Sequence, residues 1–159
     1  MKARILPDEG AFMKKEPLPD MPQIYLSEVQ KPGQSVNPLF TFLGVEIVEM
    51  SAAQVVLHLP FRSEFIQGAG VMAGGIMAAL ADEAMAHVVL ANLPQGRQTA
   101  TIDLSMRYFR PLRQGGLTAT ARLVNAGRRI LSVEAVLQDD RRRQVAKAGG
   151  SFFVIEAKE

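Results

Sequence analysis

The chain has 159 residues, 48% of them hydrophobic and 21% charged, with a net charge of +2; this is one globular domain rather than a disordered or fibrous chain. It has no cysteine and two histidines, His58 and His87, which excludes disulfides and cysteine nucleophiles and argues against a multi-histidine metal centre. The net charge is modest despite a sequence pI near 9.2 and does not by itself argue for nucleic acid, although local arginines can still meet a phosphate-bearing ligand.

Residues 1–36 carry Pro7, Pro17, Pro19, Pro22 and Pro32 among scattered charges. Proline at that density prevents long regular structure, so an N-terminal arm with at most one short helix is expected, either fraying or packing on a partner subunit. The first twenty residues hold no apolar stretch of the kind that opens a secretory signal, and a cytoplasmic location is expected.

From Asn37 the pattern tightens, and 37–159 reads as the domain. Residues 38–43 look like a helical turn entering Gly44. Two strands follow over 45–50 and 54–59, joined at Ser51-Ala52-Ala53. Val55, Leu57 and Leu59 alternate with Val56 and His58, which places His58 on the face opposite the apolar set. Residues 60–67 read as a loop feeding the stretch around which the chain is organised.

That stretch, 68–91, opens with Gly68, Gly70, Gly74 and Gly75 and continues through Ala, Met, Leu, Ile and Val, interrupted by Asp82, Glu83 and His87. Apolar residues fill the helical wheel on most sides, which predicts a buried helix; the adjacent acids and the leading glycines argue against a membrane span. Asn92, Pro94 and Gly96 end it. Four strands are then expected. Ala100, Ile102, Leu104 and Met106 alternate with Thr101, Asp103, Ser105 and Arg107, and similar alternations run over 117–123 and 131–137 before a last strand at 145–155. Short turns between them predict an antiparallel meander, and the whole reads as α+β with a sheet wrapped around one long helix.

A carboxylate in the body of a buried helix pays desolvation unless it is paired or used, so Asp82 needs a reason. The plainer reading is two acids at the one solvent-facing edge of a core helix. No nucleophile elbow, phosphate loop or dinucleotide fingerprint is present. The glycines before the helix sit where unpaired N–H groups and the positive end of the dipole favour a carbonyl or anionic oxygen. Asp82 lies eight residues beyond Gly74, about 12 Å along the axis. One helix cannot present both groups to a single carbonyl, so cooperation between them requires two subunits related by a two-fold axis.

The run Gly70-x-x-Ala73-Gly74-Gly75 with Leu80-Ala81-Asp82-Glu83-Ala84, preceded by Leu43-Gly44-Val45 and followed by Thr101-Ile102-Asp103-Leu104-Ser105 and Tyr108-x-Arg110-Pro111, resembles the hotdog-fold acyl-CoA thioesterases of the phenylacetate-pathway (PaaI-like) and THEM-type branch. The resemblance spans about 39–155. It implies a hotdog fold, hydrolysis of acyl-CoA thioesters, and a homodimer or homotetramer. It also implies Asp82 as nucleophile or general base, the Gly74 N–H of the opposite subunit as oxyanion donor, and the Thr101 hydroxyl as the group orienting water. Gln67 and Gly75 would border the substrate, and Arg107, Arg110, Arg128 and Arg129 are candidates to meet the phosphates of coenzyme A. No cofactor, metal, nucleic acid or membrane is implied. The family usually has His where Ala73 stands and Asn where Gln67 stands; the oxyanion donor is a main-chain N–H, which Ala73 leaves in place. Glu83 is expected to be a solvated or interface-paired neighbour, and His87, four residues on, to pair with it. Two functions stay open: an acyl-CoA thioesterase, or a hotdog module that binds an acyl-CoA or fatty-acyl ligand without turning it over. A hotdog dehydratase needs a histidine base, for which neither histidine is well placed.

Overall fold

The computed structural model describes residues 22–156, so the arm before Pro22 lies outside the described residues. A short helix α1 (Gln23–Val29) precedes α2 (Pro38–Leu43). Asn37 caps α2, its side-chain oxygen accepting from the Phe40 N–H, and Pro38 sits where its missing N–H costs nothing. Gly44 closes the helix at φ 73°, a left-handed conformation that glycine adopts without a steric penalty.

Strands β1 (Glu46–Met50) and β2 (Val55–Leu59) follow as a hairpin. The 60–67 segment is more ordered than a plain loop. A single 3-10 turn (Ser63–Phe65) leads into a miniature hairpin of β3 (Ile66–Gln67) and β4 (Val71–Met72). Gly70, at φ 74°, turns that hairpin, and its N–H donates to the Gln67 carbonyl at 2.8 Å. The long helix α3 (Gly74–Asn92) comes next, then β5 (Arg97–Tyr108), β6 (Leu117–Ala126), β7 (Ile130–Asp139) and β8 (Gln144–Glu156).

The six long strands form one antiparallel sheet in the order β1-β2-β6-β7-β8-β5. The expected meander therefore holds from β6 to β8 but not from β5 to β6. The 109–116 connection is too long for a tight hairpin and is tied down elsewhere, the Leu112 carbonyl accepting from the Met72 N–H at 2.7 Å. So β5 pairs with β8 at one edge while β6 pairs with β2. The sheet encloses α3. Leu57, Leu117, Leu137 and Phe152 of the sheet and Leu80, Ala84, Met85 and Val88 of α3 all have 0% exposure and belong to one cluster. Emptying one of these leucine sites to alanine costs about 2–5 kcal/mol. Helix α3 is long and apolar enough to cross a membrane by composition, and here that apolarity fills the core.

Strand β5 breaks its own alternation. Thr101 pairs with Phe152 and Asp103 with Ser151, which leaves Ile102 as a bulge. Before the bulge the odd positions face α3; after it the even positions Leu104 and Met106 do. A bulge adds one residue to one strand and re-aims what flanks it. Thr101 consequently shares the inner face with Leu104, where a strictly alternating strand would have put it on the outer face.

Candidate active site

Two clusters lie along α3, each made by the helix and β5. The first is at Asp82. Thr101 Oγ1 donates to Asp82 Oδ1 at 3.0 Å, across the helix–sheet boundary that the bulge creates. Asp82 is half-buried, and among the described residues its second carboxylate oxygen has no hydrogen-bond partner. One oxygen is fixed by a hydroxyl and the other is open, which suits a carboxylate that must accept a proton or attack.

The second cluster is at the start of α3. The hairpin delivers the chain through two clamps: the Met72 N–H donates to the Leu112 carbonyl, and the Ala73 N–H donates to the Phe65 carbonyl at 2.8 Å. Ala73 occupies the N-cap position and supplies no side-chain cap. Its carbonyl takes the N–H groups of Ile76 and Met77. Among the described residues, the N–H groups of Gly74 and Gly75 have no partner. Beside them opens a cleft of about 320 Å³ lined by Gln67, Met72, Gly74, Met77, Tyr108 and Arg110, among others. The Tyr108 hydroxyl donates to the Gly74 carbonyl at 2.8 Å. A Cβ on Gly74 would come within 3.1 Å of the Tyr108 ring, a tight contact that a side chain there could make only if the ring or the first turn gave by a few tenths of an ångström.

The remaining candidates scatter. Gln67 faces the cleft, its side-chain oxygen accepting from the Ala69 N–H at 2.8 Å. Gly75 has open space where a Cβ would be. Arg110 stands at the cleft, its guanidinium donating to the Gln144 carbonyl at 2.9 Å. Arg107 is on the outer face of β5, paired in register with Lys147, in a shallow groove that also includes Ser105 and Glu134. Arg128 and Arg129 sit exposed in the β6–β7 turn. Within one chain the structure thus brings Gln67, Gly74 and Arg110 together at the cleft, with Gly75 next to Gly74 on the helix but not lining it, and Asp82 with Thr101; the other three arginines lie apart from both clusters. His58 lies on the outer face of β2, its Nδ1 at 3.1 Å from Thr118 Oγ1, as its alternation predicts.

Glu83 is not a solvated neighbour. It points toward α2 and accepts from Asn37 Nδ2 at 3.2 Å. Burial, and then the charge of Asp82, raises its carboxyl above the usual range despite the Asn37 hydrogen bond. Nor is the Glu83 carboxylate the main partner of His87, which lies 3.7 Å away. His87 is 2% exposed. Its Nδ1 donates to the Glu83 backbone carbonyl at 2.6 Å and its Nε2 accepts from the Tyr25 hydroxyl at 2.9 Å. Asn37 Nδ2 in turn donates to the Tyr25 oxygen at 2.9 Å. Burial holds the imidazole down at about 4, with the Glu83 carbonyl pulling weakly the other way, and pushes the Tyr25 phenol up to about 12. Every donor in this chain then meets an acceptor with neutral His87, and the network bolts α1 and the α2 cap onto α3 one residue from Asp82. Neither Tyr108 nor this network follows from periodicity, since each contact joins residues far apart in sequence.

The sequence pattern of the Thioesterase superfamily matches residues 69–157. A presumed esterase of Halobacterium salinarum is 35% identical over 127 residues, 73% of this chain and 83% of that one. Another from Saccharolobus solfataricus is 24% identical over 125 residues, covering 79% and 89%. Among solved structures, a thioesterase from Haemophilus influenzae superposes with a TM-score of 0.71 at 25% identity, over 76% of this chain and 85% of its own. The phenylacetic acid degradation protein PaaI of Thermus thermophilus gives 0.68 at 27%, over 74% and 98%. With the helix-in-sheet architecture, the helix-borne acid and these likenesses together, the chain belongs to the thioesterase superfamily and is a hydrolase with the hotdog fold.

Proposed function

We propose that the protein hydrolyses acyl-CoA thioesters to a free carboxylic acid and coenzyme A. The observation that carries this reading is Asp82, with one oxygen held by Thr101 and the other open, in a member of this superfamily. Asp82 takes the proton of a water positioned by Thr101, and the water oxygen attacks the thioester carbonyl carbon. The developing oxyanion is met by the Gly74 N–H. Collapse breaks the C–S bond and releases the thiolate, which takes up the proton. Direct attack by Asp82, giving an anhydride that water then opens, uses the same groups. No cofactor is called for, since coenzyme A belongs to the substrate, and a cytoplasmic location goes with such a substrate.

Asp82 and Gly74 lie about 12 Å apart on one helix, so the reading requires a second copy to bring its Gly74 to this Asp82. Strand β5 supports such pairing. It is a twelve-residue edge strand with Ile102 53% exposed, and long unprotected edges of this kind invite another strand. The assembly is a homodimer or a tetramer of two such dimers. Arg110, Arg107, Arg128 and Arg129 are the cations offered to the phosphates.

One observation favours a second reading, a module that binds an acyl-CoA without turnover: Ala73 stands where the family usually has histidine. A thiol-release screen over short, medium, long and aryl acyl-CoAs separates the two. Turnover of any member well above the spontaneous rate supports the enzyme; tight binding without release supports the module.

A further inference from the structure

We propose that Tyr108 is a positioning residue for the thioester-binding end of α3, an inference that rests on the function proposed above. Its hydroxyl donates to the Gly74 carbonyl at 2.8 Å, and its ring occupies the space where a Gly74 side chain would be. The Gly74 carbonyl and the Gly75 N–H belong to one peptide unit. A hydrogen bond accepted at the carbonyl polarises that unit and strengthens its N–H as a donor. The two N–H groups at stake, those of Gly74 and Gly75, have no other partner among the described residues. Tyr108 therefore strengthens the Gly75 N–H from behind, and by holding Gly74 under its ring and hydroxyl, together with the clamps at Met72 and Ala73, it fixes the direction in which the neighbouring Gly74 N–H, the proposed oxyanion donor, points. Its half-exposed ring, 50% accessible, also forms one wall of the cleft beside Gln67 and Met77. Because the tyrosine comes from β5, the strand that also supplies Thr101, one strand sets the geometry of both clusters.

The test is Tyr108→Phe, which keeps the ring and removes only the hydroxyl. Loss of one neutral hydrogen bond that strengthens in the transition state lowers kcat by about three- to tenfold, with KM and melting temperature close to the parent. An infrared readout isolates the mechanism. An acyl-CoA bound to Asp82→Asn shows its thioester carbonyl stretch shifted down from the solution value, and adding Tyr108→Phe moves it part of the way back. Parental kcat in Tyr108→Phe, or a reduced kcat with an unmoved stretch, overturns the proposal while leaving an active parent enzyme and the proposed function in place. A parent that hydrolyses no thioester in the panel overturns both.

Discussion

Thr101 reaches Asp82 at 3.0 Å because β5 is bulged at Ile102. Without that extra residue the hydroxyl would stand on the outer face of the sheet, and the carboxylate would face an edge strand with nothing to orient it. A β-bulge beside a reacting group is a common way to turn one side chain against the phase of its strand.

The pair predicts a separation of binding from turnover. Thr101→Val removes the hydroxyl and keeps the branched shape, so kcat should fall about tenfold, the scale of a hydrogen bond to a charged group. KM should stay within about threefold. Thr101→Ser should restore most of the loss. Steady-state kinetics on one acyl-CoA checks both variants, and an unaffected Thr101→Val would remove Thr101 from the water-orienting role.

How much of this can be read from the chain alone follows from the range of each interaction. Helix α3, its glycine-led start and the acid in its body are local features, and periodicity is enough to find them. So is the alternation of β2 that turns His58 outward. The bulge is not, because Thr101-Ile102-Asp103-Leu104 looks like four regular residues until β8 supplies the register. The same holds for the buried network. Tyr25 meets His87 across 62 residues of sequence and Asn37 meets Glu83 across 46; the four-residue spacing of Glu83 and His87 predicts a local pair, which the fold keeps through the Glu83 backbone carbonyl while Asn37 holds the carboxylate. Tyr108 stands in the motif that carries the family resemblance, but its hydrogen bond to Gly74 appears only when β5 crosses the start of the helix.

The proposed sharing of sites between subunits predicts complementation. Gly74→Ala places a methyl 3.1 Å from the Tyr108 ring, so the first turn or the ring must shift. A shift of a few tenths of an ångström at the proposed oxyanion donor lowers kcat, by less than the roughly 10²-fold that a full ångström costs. Asp82→Asn is defective for its own reason. Refolded together, the two variants should form mixed dimers in which one of two sites has both an intact Asp82 and an intact Gly74. Activity of the mixture should rise toward about a quarter of the parent, since half the dimers are mixed and each restores one site. No recovery in dimers shown to have exchanged would mean that each site lies within one subunit.

Acid stability follows from His87. Its folded value of about 4 lies below the ordinary 6.5, so between those values the unfolded chain binds a proton that the folded chain refuses. The contribution is complete above pH 6.5 and is lost as pH falls toward 4, at about 1.4 kcal/mol per pH unit at most. Glu83 works the other way. Its raised carboxyl takes a proton more readily in the folded state, which stabilises below the ordinary 4.5 and fades as pH rises through the raised value. His87→Gln leaves the Glu83 effect and removes the imidazole. Melting temperatures from pH 7 to pH 4 should therefore fall less steeply in His87→Gln than in the parent. Parallel curves would show that the imidazole is not held neutral by the fold.

The most direct measurement of the central claim is kcat and melting temperature for Asp82→Asn and Glu83→Gln, prepared and assayed alongside the parent. The amide keeps the size of Asp82 and removes its basicity and charge. Asp82→Asn should lose at least about 10²-fold in kcat, the lower end for losing general acid–base help, with assembly and melting temperature little changed. Glu83→Gln should stay within a few-fold of parental kcat, because its carboxyl faces Asn37 rather than the open side of the helix. An Asp82→Asn protein with full specific activity would contradict the account.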